Sequence, residues 1–73
     1  MNETQAAFAA IGEQYYIISA WVARGGGALT DEEAIRLGKE RIREMRKKGN
    51  DLQTIAKMFN ITAEQVRMAL ATS

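Results

Sequence analysis

Residues 55–70 read IAKMFNITAEQVRMAL, and this stretch decides the fold. Two short runs with helical apolar spacing meet at Phe59-Asn60-Ile61. Asn tolerates positive φ, so Asn60 is the natural left-handed residue to end the first run. Ile61 then plugs the corner and Thr62 caps the second run. The first helix, about residues 51–59, should present Leu52, Ile55, Ala56 and Phe59 to a core. The second should bury Val66, Ala69 and Leu70. A small residue at Ala56 would let the two helices cross closely, with Ile61 and Val66 filling the wedge between them.

Working outward, the chain offers a capping residue followed three positions later by Glu or Gln at four places. These are Asn2 with Gln5, Thr30 with Glu33, Asn50 with Gln53, and Thr62 with Gln65. In such a box each side chain satisfies a backbone N–H of the other residue, at a helix start that leaves those donors unpaired. Four boxes in phase with apolar periodicity, and no proline anywhere, predict an all-α chain: a small four-helix domain.

Helix one is expected over about residues 3–24. Phe8, Ile11, Tyr15, Ile18 and Val22 form one stripe, which Ala7, Gln14, Ile17 and Trp21 widen to roughly half the cylinder. So broad a face either covers the domain's own core or forms a partner seam. In the second case Trp21 and Tyr16 are the candidate anchors, because aromatics dominate such contacts. Tyr16 points away from the stripe and is the better candidate for an exposed contact. Gly25-Gly26-Gly27 should end this helix; no Gly-Lys-Ser or Gly-Lys-Thr follows, so they read as a C-cap and joint over 25–29 rather than a phosphate cradle.

Helix two, about residues 31–48, should bury Ala34, Ile35, Leu37, Ile42 and Met45. Gly38 on the same face permits close approach of another helix, at a cost of about 1 kcal/mol in propensity. The outer face places Glu32–Arg36 and Glu44–Lys48 in the favourable i, i+4 order. Acids lead and bases trail, as the helix dipole prefers, and Arg46, Lys47 and Lys48 stop at Gly49, read as a C-cap.

Composition narrows the function. At 73 residues there is room for one domain, 1–73, burying about 60% of its unfolded surface. A hydrophobic share of 47% with a net charge of only +1 argues against disorder. With no cysteine and no histidine, no zinc site or histidine base is expected, and the expected compartment is a reducing cytoplasm. Neither Ser19 nor Ser73 has a partner base, so the chain is expected to be no enzyme, with no cofactor and no small-molecule substrate. Glu13, Gln14 and Arg24 interrupt the N-terminal half, so neither a membrane span nor a signal peptide is expected.

Charge is unevenly distributed. Residues 1–34 hold one cation against five anions, residues 35–57 hold eight cations against three anions, and residues 58–73 balance Arg67 against Glu64. The positive field therefore sits in the middle of the chain, not on the helix after the turn.

At Ile55-Ala56, Phe59-Asn60-Ile61 and Val66 the chain resembles the helix-turn-helix superfamily. LQTIAKMFNITAEQVRMAL looks most like the trihelical domain at the C-terminus of resolvases and invertases. The resemblance covers about residues 31–71, leaves helix one outside it, and departs from many members at Asn60, where they carry glycine. It implies a helix-turn-helix region over 30–73 behind an N-terminal helix over 1–24.

The resemblance further implies that the second helix enters a DNA major groove, with its outward side chains at base edges. Gln65 would then meet adenine and Arg67 guanine, with Lys57 and Thr62 as further DNA contacts. A helix carrying one cation and one anion is a poor start for that task, and sequence-specific binding would need a homodimer. In size and layout the chain is also similar to small phage-encoded regulators that bind host bacterial RNA polymerase. That likeness implies a transcription regulator that alters initiation or termination by occluding or bridging a polymerase surface. Its partner contacts would be Tyr16, Trp21, the Arg46, Lys47 and Lys48 cluster, and Glu64, Gln65, Arg67 and Met68. This is the favoured expectation, with a homodimeric DNA-binding repressor as the alternative.

Overall fold

The structure is a computed structural model, and it describes residues 2–15 and 29–71. Four helices are seen: α1 (Glu3–Tyr15), α2 (Asp31–Lys47), α3 (Leu52–Phe59) and α4 (Ala63–Ala71). No strand occurs among the described residues, and the fold is all-α as expected. The expected continuation of helix one to residue 24, and the glycine joint at 25–27, lie outside the described residues.

Three of the four expected capping boxes form. Asn2 and Gln5 exchange bonds of 3.1 and 2.8 Å, Thr30 and Glu33 of 3.3 and 3.2 Å, and Thr62 and Gln65 of 3.0 Å each. The fourth does not. Asp51, not Asn50, caps α3, its Oδ1 accepting from the Thr54 N–H at 2.7 Å. A carboxylate suits the positive end of a helix dipole better than an amide does. Asn50 is meanwhile used to close α2, its Nδ2 donating to the Met45 carbonyl at 2.9 Å.

The end of α2 follows from Gly49, which sits at φ 99. There the Gly49 N–H donates to Arg46 O and the Asn50 N–H to Met45 O, at 3.0 and 3.3 Å, the pair of bonds of a Schellman cap. The same pair recurs after α3. Asn60 is left-handed (φ 56, ψ 46), its N–H donating to Lys57 O at 3.4 Å and the Ile61 N–H to Ala56 O at 2.9 Å.

One core joins all four helices: Phe8 and Ile11 from α1, Ile42 and Met45 from α2, Ile55 and Ala56 from α3, Val66 and Ala69 from α4. Ile42, Ile55 and Val66 are fully buried, each contributing about 1.5–3 kcal/mol in hydrophobic transfer. Leu52, Phe59, Ile61 and Leu70 are half-buried against this cluster, as is Ile35. Leu37, expected inside, is only half-buried and stands apart from the cluster. Its place on the α1 side is taken by Gly38, because α1 and α2 meet backbone to backbone. A Cβ on Gly12 would fall on the Ala34 carbonyl group, 2.7 Å from its carbon; one on Gly38 would fall on the Phe8 carbonyl, 2.8 Å from its carbon.

On the outer face of α2 the expected Glu44–Lys48 pair gives way to Arg41–Glu44, an i, i+3 bridge of 3.2 Å. Arg41 is drawn there because its guanidinium also lies 5.2 Å from the Tyr15 ring centre, while the Lys39 ammonium lies 5.9 Å from that of Phe8. Each cation over a ring adds about 0.5–2 kcal/mol, and both link α1 to α2.

Candidate interaction surface

The bend between α3 and α4 is built from Ala56 and Val66, both buried, with Phe59 and Ile61 half-buried beside them. The two backbone bonds around Asn60 close α3, and buried Val66 and Ala69 seat α4 on the core. Glu64, Arg67, Met68 and Ala71 are thereby left on the exposed side of α4.

The site residues expected from the sequence divide into three groups. Tyr16 and Trp21 lie outside the described residues. Arg46, Lys47, Lys48 and Lys57 are exposed, the first three at the end of α2 and the last on α3. Glu64, Arg67 and Met68 are exposed on α4, but Gln65 is half-buried and Thr62 is exposed with its hydroxyl oxygen engaged. Gln65 Oε1 accepts the Thr62 N–H at 3.0 Å, so the carbonyl an adenine contact would use already serves the helix cap.

Met58 was missed by the sequence reading. It is the most exposed large apolar side chain described, at 51%, followed by Met68 at 45%. The signal was present: Met58 is apolar, yet falls outside the Leu52, Ile55, Ala56 and Phe59 stripe. Exposed methionines are flexible and polarizable, and they suit surfaces that must adapt to a protein partner.

Hydrogen bonds cross the charged corner between α2 and α3. Arg46 folds across it, one guanidinium N–H donating to the Asn50 carbonyl at 3.0 Å. The Asp51 carboxyl is held below its ordinary value, first by the Thr54 backbone N–H and side chain, then by the nearby positive charges of Arg46 and Lys57.

An open groove of about 280 Å³ separates α1 from the bend, lined by Ala7, Ala10, Ile11 and Gln14 on one side and by Phe59, Asn60 and Ile61 on the other. Among the described residues no group of three or more His, Cys, Asp or Glu is placed to hold a metal ion. No helix among them is long and apolar enough to cross a membrane. No family model matches the chain, and neither a curated protein nor a solved structure does.

Proposed function

We propose that the chain is a small transcription regulator that docks on bacterial RNA polymerase through the exposed faces of α3 and α4. The observation that carries a protein partner is the pair of exposed methionines, Met58 and Met68, beside an α4 that has no net charge. Apolar contacts around one ion-pairing side chain, Arg67, match the centre of a protein interface, where charge is depleted and Met and Arg are enriched. The use of Gln65 Oε1 as a cap acceptor argues in the same direction, because it competes with base reading. The choice of polymerase as partner rests on the likeness in size and layout to small phage-encoded regulators.

A second reading, a homodimeric helix-turn-helix repressor, draws on the exposed cations Lys57 and Arg67 on either side of the left-handed Asn60. It predicts a dimer and a steep salt dependence of DNA affinity. The deciding experiment is a pull-down with the tagged chain from nuclease-treated bacterial lysate. Enrichment of polymerase subunits supports docking. Enrichment of none, together with selection of a defined DNA site, would transfer the assignment to the repressor.

A further inference from the structure

We infer that Met58 and Met68 are a pair of oxidation sites, at which a peroxide turns the outer faces of α3 and α4 from apolar to polar while the core stays intact. The chain contains four methionines and no cysteine, so no thiolate competes with the thioethers for a two-electron oxidant. Met1 lies outside the described residues, and the other three divide by burial. Met45 is enclosed in the core at 4% exposure, whereas Met58 stands at 51% and Met68 at 45%. Peroxide must reach a sulfur lone pair, so exposure sets the order of attack.

The step is balanced by the peroxide alone. The sulfur lone pair bonds to one peroxide oxygen as the O–O bond breaks, and sulfur is oxidised by two electrons to the sulfoxide. The other oxygen leaves as hydroxide and takes the proton of the first to become water.

The two exposed positions tolerate this product and the buried one does not. Neither Met58 nor Met68 belongs to the core cluster, so an S–O dipole there stays hydrated. Met68 also borders a cleft of about 200 Å³ whose lining includes Asn2, Gln5, Phe8 and Lys39. The Lys39 ammonium, 5.9 Å from the Phe8 ring centre, and the amides of Asn2 and Gln5 are donors. A thioether is a weak acceptor, and the sulfoxide oxygen puts a strong one at the edge of that cleft. At Met45 the same oxygen would enter a cluster of apolar side chains, and among the described residues no polar side chain is buried. Sulfoxides at Met58 and Met68 remove the apolar contacts that docking on a protein would use; this consequence rests on the proposed function, whereas the chemistry at the sulfurs does not.

The test treats the full chain with hydrogen peroxide and follows each methionine by peptide mapping and mass spectrometry. Met58 and Met68 should oxidise at least about tenfold faster than Met45, with the cooperative melting transition retained. On native hydrophobic-interaction chromatography the oxidised chain should elute earlier, and return to its first position after treatment with methionine sulfoxide reductases for both epimers. The double variant Met58→Leu, Met68→Leu keeps Met1 and Met45, and its elution should not shift on the same treatment.

Three outcomes overturn the inference: oxidation of Met45 as fast as of the other two, loss of the melting transition as the exposed pair oxidises, or an equal elution shift in the double variant. Polymerase capture is measured on the same samples. A fall of about tenfold with peroxide, reversed by the reductases, supports control of docking by oxidation. Capture that survives complete oxidation of both sites overturns that control. Absence of capture by the untreated chain sinks only the docking proposal, because oxidation rates and elution are read without polymerase.

Discussion

Gly38 lies so close to Phe8 that the two helices they belong to touch through main chain: a Cβ added at Gly38 would stand 3.1 Å from the Phe8 Cα and nearer still to its carbonyl group. The same holds at Gly12 against Ala34, so a pair of glycines sets the distance between α1 and α2. Backbone cannot move aside as a side-chain tip can. Replacing Gly38 by Ala should therefore destabilise the protein by about 2 kcal/mol, an overpacking cost of about 3 offset by a propensity gain of about 1. Urea denaturation followed by circular dichroism reads this directly, and a variant more stable than the parent would refute the close crossing.

Gly49 makes the contrasting case. An added Cβ there meets nothing, but the backbone is at φ 99, which L side chains rarely adopt. Gly49→Ala should cost about 1–2 kcal/mol through backbone strain alone. At Asn60 the left-handed conformation is milder, and Asn60→Gly should be neutral or slightly stabilising while Asn60→Val is destabilising. Denaturation midpoints should place Asn60→Gly at or above the parent and both Gly49→Ala and Asn60→Val below it.

Ile42, fully buried at the centre of the core, sets the scale for cavity effects. Ile42→Val should cost about 0.5–1.5 kcal/mol and Ile42→Ala about 2–5. A domain this small has a margin of about 5 kcal/mol, so Ile42→Ala should be largely unfolded at 37 °C, as judged by loss of its cooperative melting transition.

Acid should weaken the start of α3. The folded-state carboxyl of Asp51 titrates below its ordinary value of 3.8, so its contribution to stability is present above that value and is lost as pH falls through the lower folded one. The melting temperature should therefore decline on the acid side of pH 4 by less in Asp51→Asn, which keeps a capping side chain without its charge, than in the parent. An identical decline in both would place the acid sensitivity elsewhere.

Met58 and Met68 lie outside the buried core, so converting both to Ser should leave the cooperative melting transition in place. If α3 and α4 dock on a protein, the same double variant should lose capture of that partner by at least about tenfold, the effect of 1.4 kcal/mol. Quantitative pull-down at matched protein concentrations measures it, and unchanged capture would remove the methionines from the interface.

Local chemistry made much of this protein readable in one dimension. The boxes at Asn2, Thr30 and Thr62, the stops at Gly49 and Asn60, and the buried faces of α3 and α4 each depend on residues within four positions of one another, so spacing alone determined them. At the start of α3 spacing was not enough: Asn50 was expected as the cap, but its side chain bonds back to the Met45 carbonyl at the end of α2, and Asp51 takes the cap.

Only the tertiary structure decided the rest, because it depends on which helix lies across which. Leu37 and Gly38 are neighbours in sequence, yet the approach of α1 puts the glycine in the contact and leaves the leucine half-exposed. Arg41 is drawn to Tyr15, and Glu44 follows it instead of reaching Lys48.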